Sequence, residues 1–363
     1  MPVSPASDDR MKPPVTVAVV GYGYWGPNLA RNFGSQPGVE LAAVCDADDE
    51  RRHRASQRFP GLPVFRDTAE MLASVKPDAL AIATPAATHA PLARMALEAG
   101  CDVLVEKPMA LSAAECRQLN ALAAERGRIL MVGHTYLFSD AVREILRIIR
   151  GGGIGEVRYI NCQRLNLGLF QPDINVVWDL APHDLSIILE VMGGPPEIVN
   201  CQGNAHVARE VEDVGNLSLR FSGSRFATVQ CSWLEPRKVR QMTFVGTRGM
   251  IVFDDLEARD KIRIYDVRVE CPPHYDNFGE FPYAYHYGDC RIPRIEQREP
   301  LAAMCGHFSR CVLERRIPDT CGERGADVVA VLEACQRSLR SDGAPVTLEP
   351  GGGIRPTALR SVS

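Results

Sequence analysis

Short apolar runs alternate with helix-patterned segments through the first third of the chain. VTVAVV (Val15 to Val20) opens the series, and VELAAVC (Val39 to Cys45), DALAIA (Asp78 to Ala83), DVLV (Asp102 to Val105) and ILMV (Ile129 to Val132) follow it. Each reads as a buried strand, and Ala90 to Ala99 and Ser112 to Arg126 carry helical spacing between them. Strand–helix alternation of this kind predicts an α/β fold whose parallel sheet is doubly wound, over residues 14–133.

The pattern changes after Gly133. One amphipathic helix, Ala141 to Arg150, leads through three glycines into β-rich sequence: Val157 to Leu165, Val214 to Phe221, Arg225 to Trp233 and Val239 to Val245. FSGSRF (Phe221 to Phe226) and VGTRG (Val245 to Gly249) are hairpin signals, so the second sheet is predicted to be largely antiparallel. Leu301 to Leu313 and Ala326 to Leu339 read as closing helices, giving an α+β domain over residues 134–350. Residues 1–13 and 351–363 carry no core pattern and are expected to be tails.

The first strand runs directly into Gly21, Gly23 and Gly26, and a helix-forming segment comes next. G-x-G-x-x-G between a first strand and a first helix is where a dinucleotide pyrophosphate needs it. The helix N-terminus there offers free N–H groups to the anion. Asp46 ends the second strand, twenty residues past Gly26. Its carboxylate can accept the adenosine ribose hydroxyls, which favours NAD; alternatively it caps the helix beginning near Asp48. Arg51, Arg52 and Arg54 keep NADP open.

Composition removes several classes of function. With 363 residues, 45% hydrophobic, the chain can bury two cores, and its net charge of −4 points away from nucleic acid. No apolar stretch reaches the roughly 20 residues of a membrane span, and no signal core opens the chain, so a cytoplasmic protein is expected. Twelve cysteines without a C-x-x-C pair and eight histidines without metal-ligand spacing predict reduced thiols and no metal.

Two positions carry candidate chemistry. Lys107 follows the strand DVLVE and projects from the sheet edge where a nicotinamide would lie; Pro108 stiffens that turn and permits a cis bond. It is either an amine placed for proton transfer and hydrogen bonding or a solvated strand-end lysine. In INVVWDLAPHDLSIILEVMGG (Ile174 to Gly194), Pro182 is expected to open a helix running to Met192. His183 then falls in the first turn, accessible and kept neutral by the helix N-terminus, as a general base requires. Asp179 in the preceding loop would orient His183, touch substrate or bond loop amides, and Asp184 would favour the helix dipole. Arg164 and Asn166 either read substrate or face solvent from an edge strand, and Tyr283, Tyr285, His286, Tyr287 and Asp289 form a polar aromatic loop.

GYGYWG (Gly21 to Gly26), ATPAATH (Ala83 to His89) and EKP (Glu106 to Pro108) together resemble the glucose-fructose oxidoreductase / inositol 2-dehydrogenase / rhizopine catabolism (Gfo/Idh/MocA) family, over Val15 to Leu348. The resemblance implies a Rossmann domain followed by an α+β domain whose open sheet covers the site. It assigns Lys107 to catalysis and Glu106 to the nicotinamide ribose. Gly21, Gly23, Tyr24, Trp25 and Gly26, with Thr84, Pro85, Thr88 and His89, are assigned to the cofactor. The family's D-x-G-x-H stands here as Asp179 to His183 with Ala181 in place of glycine. QRLNLG and WDLAPHD look like a branch acting at C3 of nucleotide-linked and antibiotic sugars. The implied protein is an NAD-dependent sugar dehydrogenase with Lys107, His183 and Asp179 catalytic and Arg164 and Asn166 on the substrate, a homodimer or homotetramer. Two rivals are an NADPH-dependent 3-ketosugar reductase and a non-catalytic NAD(P)-sensing binding protein.

Overall fold

The computed structural model describes residues 13–170, 174–270, 283–349 and 354–356. Six parallel strands make the first sheet: β1 (Val15–Val20), β2 (Val39–Cys45), β3 (Val64–Phe65), β4 (Ala79–Ile82), β5 (Asp102–Val105) and β6 (Leu130–Val132). Their spatial order is β3-β2-β1-β4-β5-β6. The helices between them are α1 (Gly26–Gly34), α2 (Asp49–Arg58), α3 (Thr68–Val75), α4 (His89–Glu98) and α5 (Ala113–Glu125). β1 explains why its sequence is apolar without alternation. Ala18 and Val20 face a core shared with α4 and α5, while Val17 and Val19 face a second core with α1. The order of strands reverses between β1 and β4, so a crevice opens at their carboxyl ends, where Gly21 and Thr84 follow.

The second sheet has ten strands, fed by helix α6 (Asp140–Arg150). They are β7 (Val157–Leu167), β8 (Ile198–Asn204), β9 (Val214–Arg220), β10 (Phe226–Ser232), β11 (Leu234–Gly246), β12 (Met250–Asp254), β13 (Ile262–Glu270), β14 (Ala284–Arg291), β15 (Val346–Leu348) and β16 (Ile354–Pro356). Helix α7 (Val176–Met192) separates β7 from β8, and α8 (Pro300–Glu314) and α9 (Gly322–Leu339) follow β14. The order is β14-β13-β12-β11-β7-β10-β9-β8-β15-β16. Its registered pairs are antiparallel except β7 with β10. The predicted hairpin at Phe221 to Phe226 joins β9 to β10, and that at Val245 to Gly249 joins β11 to β12. One face is covered by α7 and α9, against which Leu217, Leu219, Val229 and Cys231 are buried.

Three differences from the sequence expectations have local causes. Tyr285, His286, Tyr287 and Asp289 belong to strand β14 rather than a loop. The strand is exposed along nearly its whole length and so lacks the apolar alternation that would reveal it. β16 pairs with β15 within the expected tail. Helix α8 returns to the first sheet, where Leu301, Met304 and Phe308 pack with Val17, Val19 and Phe33. The expected N-terminal tail, apart from residue 13, lies outside the described residues.

Candidate active site

The turn after β1 is built for a close approach. A Cβ on Gly21, whose φ is +88°, would lie 2.5 Å from the Ala83 carbonyl oxygen, and one on Gly26 would collide with the Gly21 carbonyl. A Cβ on Gly23, by contrast, would meet nothing nearer than the Arg51 guanidinium at 3.5 Å, so the space above the turn is open. Asp48, Asp67 and Ser112 cap α2, α3 and α5 with their side chains, whereas α1 has no side-chain cap. In its first turn Pro27 has no N–H and Asn28 and Leu29 donate to the Trp25 carbonyl, which leaves the Gly26 N–H for an anion. Tyr24 and Trp25 stand exposed at this turn, ring centroids 5.5 Å apart. These features fit a dinucleotide pyrophosphate.

Asp46 is not the cap of α2; Asp48 is, accepting the Arg51 N–H at 2.9 Å. The Asp46 carboxylate instead accepts the Tyr22 N–H at 2.6 Å and the Asp48 N–H at 2.9 Å, which fixes it beside the glycine turn. Arg51 stands 3.7 Å from it. Across the crevice, Thr88 Oγ1 lies 2.7 Å from Thr84 Oγ1 and 2.7 Å from the Pro85 carbonyl. His89, expected on the cofactor, is a clamp. Its Nδ1 lies 2.7 Å from the Pro108 carbonyl and its Nε2 2.9 Å from the Thr84 carbonyl, so neither nitrogen is free. It ties the loop after β4 to the cis Lys107–Pro108 turn after β5. Glu106 is buried, and burial pushes its carboxyl up to about 7, opposed by the charge and N–H of Lys107.

Lys107 meets the second domain. Its Nζ donates to the Asp179 carbonyl at 2.8 Å and to Asp179 Oδ1 at 3.2 Å, while Trp233 Nε1 donates to Asp179 Oδ2 at 3.3 Å. Asp179 is not in a loop. Helix α7 begins at Val176, capped by Asn175, whose Oδ1 accepts the Trp178 N–H at 3.1 Å, and Pro182 lies inside it. A proline there removes the N–H that would have bonded Trp178 O and crowds that carbonyl with its ring. Asp179 and His183 therefore share one helix face at i and i+4. His183 is half-buried: Nδ1 is enclosed without a partner among the described residues, leaving Nε2 as the nitrogen open to solvent. Burial, then the charges of Lys107, Arg164 and Arg240, hold its imidazole well below the ordinary range. The expected neutrality has that cause rather than the helix N-terminus.

Arg164 and Asp184 correct two further expectations. β7 is a central strand, and Arg164 turns inward to grip Asp184 with Nε–Oδ2 at 2.8 Å and Nη2–Oδ1 at 2.7 Å. Both side chains are almost completely buried, and Asp184 serves this pair rather than the helix dipole. Arg164 Nη1 donates to Tyr136 Oη at 3.1 Å, Arg240 does the same at 3.1 Å, and that hydroxyl donates to Asp255 Oδ2 at 2.9 Å. The Tyr136 ring so held packs on His183, centroids 5.2 Å apart. Asn166 lies half-buried two residues along the same face of β7. Tyr136, Trp233 and His134 were missed from the sequence. GHTY follows β6 as EKP follows β5, and position at a strand's carboxyl end was the available signal.

A glycine turn built for close approach, a carboxylate fixed beside it and an amine bonded to Asp179, one helical turn before His183, fit an NAD-binding oxidoreductase. The chain belongs to the GFO/IDH/MocA family: residues 15–134 match its NAD-binding Rossmann oxidoreductase domain and residues 142–252 its C-terminal domain. It is an NAD-binding oxidoreductase of that family. Among its relatives, D-apiose dehydrogenase of Paraburkholderia graminis is 26% identical, over 93% of this chain and 94% of that protein. UDP-N-acetylglucosamine 3-dehydrogenase of Acidithiobacillus ferrooxidans is 30% identical over 62% of this chain and 69% of its own. A solved structure of that enzyme superposes with a TM-score of 0.75 at 25% identity, covering 91% of this chain and 99% of that one. GenD2 from gentamicin A biosynthesis, solved with NAD, gives a TM-score of 0.77 at 25% identity, covering 96% and 100%. No helix among the described residues is long and apolar enough to cross a membrane.

Proposed function

We propose that the protein oxidises a ring hydroxyl at C3 of a nucleotide-linked or glycosidic sugar, in sugar or antibiotic biosynthesis. The meeting of Lys107 with Asp179, and with His183 one helical turn on, carries this reading. Gly21, Gly23, Gly26 and Asp46, with Thr84 and Glu106 opposite, would hold NAD, which when bound supplies the hydride acceptor. His183 Nε2 takes the hydroxyl proton, for which a neutral imidazole is required. The Lys107 ammonium has three N–H donors, and two are spent on Asp179. The third remains for the reacting oxygen, aimed before substrate arrives, so the developing carbonyl meets a donor already in place. Asp179 orients the amine, and Tyr136 fixes the imidazole plane by packing on it.

Likeness to a UDP-N-acetylglucosamine 3-dehydrogenase and to GenD2 supports C3 and the carrier class. The outer face of the second sheet would join protomers into a homodimer or homotetramer. The test is NAD reduction across a panel of nucleotide sugars and aminoglycosides, repeated with C3-deuterated sugar. Deuterium transfer to the reduced cofactor is expected. Turnover with the label retained would refute the position, and tight NAD binding without any turnover would favour a sensing protein.

A further inference from the structure

Two arginines share the Tyr136 hydroxyl, and only one of them is fully bonded. Arg164 is sealed, its three guanidinium nitrogens on Asp184 and Tyr136. Arg240, opposite it in the β7–β11 register, keeps 36% of its side chain exposed. Its Nη1 donates to Tyr136 Oη at 3.1 Å and to Asp255 Oδ2 at 3.4 Å. A guanidinium has five N–H donors, and those on Arg240 Nε and Nη2 bond none of the described residues. Nε and Nη2 form the planar fork that grips a carboxylate or phosphate through two parallel bonds. Arg164 holds Asp184 with that same fork.

The charge of Arg240 is not matched either. Asp255 answers both to it and to Lys261, whose Nζ lies 3.6 Å from Oδ1, so the three groups carry a surplus positive charge. The neighbouring pairs Lys107–Asp179 and Arg164–Asp184 are balanced. The start of β11 adds Arg237 and Lys238 against one acid, Glu235. Along the inner face of β7, burial falls from Cys162 and Arg164 to half-buried Asn166. At that end Gly168 bonds Trp233, and Trp233 bonds Asp179, so Arg240 stands at the margin of the proposed catalytic group. Tyr136 spans the way from His183. Its ring packs on the imidazole, centroids 5.2 Å apart, and its hydroxyl, at the far end, carries the Arg240 guanidinium. A pyranose is of similar length, and one that offers its C3 hydroxyl to His183 holds its C1 and C5 substituents at the opposite end.

We infer that Arg240 selects a sugar bearing an anionic group, a phosphate on C1 or a carboxylate on C5, and disfavours a cationic aminoglycoside. The inference rests on the reading of His183 as the base at C3, and it narrows the class of sugar left open there. The Nε–Nη2 fork takes two oxygens of the anion while Nη1 keeps Tyr136, so recognition leaves the support of the imidazole in place. A grip one ring away from the reacting carbon is made alike in ground and transition states. It therefore acts on affinity rather than on kcat. Partial exposure makes the attraction sensitive to salt.

Calorimetric titration of the NAD-loaded protein tests this without turnover. UDP-N-acetylglucosamine carries the phosphate, glucuronate the carboxylate, N-acetylglucosamine neither, and gentamicin A the opposite charge. At least one anionic sugar should bind more tightly than N-acetylglucosamine, and added salt should narrow the gap. Arg240→Met should weaken that sugar by about 10- to 100-fold and N-acetylglucosamine far less; which anion loses affinity identifies the source. The variant keeps the apolar stem, and Asp255 keeps Lys261, which guards against misfolding. Arg240→Lys, with the charge but not the fork, should recover part of the loss. A merely structural role would weaken all the sugars alike. That result, failure of both anions to bind, or tighter binding of gentamicin A overturns the inference. Should an anion bind through Arg240 without transfer of the C3 label, the reading of the reaction fails and the anion site stands. Should a neutral sugar be oxidised at C3 while Arg240→Met changes nothing, only the anion site fails.

Discussion

Helix α7 carries two cation–carboxylate pairs five residues apart, and they do opposite things. Lys107–Asp179 keeps side-chain exposures of 12% and 24% and leaves one ammonium proton uncommitted. Arg164–Asp184 is sealed, at 6% and 2%, with both Asp184 oxygens gripped and the remaining guanidinium nitrogen on Tyr136. Partial exposure with an unfilled valence leaves a group able to meet a ligand. Full burial with each guanidinium nitrogen and both carboxylate oxygens bonded leaves a strut, and Arg164 and Asp184 hold the Tyr136 ring that packs on His183. The comparison assigns rate to the first pair and stability to the second.

Arg164→Ala should break the comparison most visibly. It strands Asp184 as an unpaired buried charge, and chemical denaturation should show a loss of about 3–5 kcal/mol. The double change Arg164→Met with Asp184→Leu should recover most of it, because a filled apolar pair carries no desolvation penalty. A marginal effect of Arg164→Ala would remove the strut interpretation.

Lys107→Ala should do the reverse. We expect kcat to fall by at least about 100-fold, some 2.7 kcal/mol in the barrier, with NAD affinity by fluorescence titration and the unfolding midpoint little changed. A variant that loses stability but keeps its turnover would exchange the roles of the two pairs.

A pH profile sharpens the same contrast at smaller amplitude. Burial and neighbouring cations lower the His183 pKa, so the base stays neutral as pH falls through the ordinary imidazole value and loses activity only further down. An ordinary imidazole of pKa about 6.5 would have lost roughly tenfold in rate by about pH 5.5. Initial rates should show the acid limb of kcat below 6.5, and a limb at or above it would mean that His183 is solvated. The smallest effect is expected from Trp233→Phe, which deletes one long hydrogen bond to Asp179 and should slow turnover by a few-fold, about 0.5–1 kcal/mol.

The two halves of the site were not equally legible. Gly21, Asp46 and Lys107 stand just past strand ends and Gly26 opens α1, positions that local sequence encodes. Arg164 and Asp184 lie twenty residues apart on a strand and a helix, and only the packing of α7 on β7 makes them partners. Pro182 misled because proline is most common at a helix start, whereas Asn175 supplied a stronger one and the helix absorbed the lost bond. That shift moved Asp179 from a loop onto the face it shares with His183. His89 misled differently: its motif was right, but its ring is consumed by two carbonyls.

A crystal structure with NAD and the sugar identified by the panel tests the central claim directly. Lys107 Nζ and His183 Nε2 should both lie within hydrogen-bond distance, about 2.6–3.2 Å, of one and the same ring hydroxyl. A bound sugar whose reacting hydroxyl meets neither nitrogen, or that draws them to different groups, would contradict it.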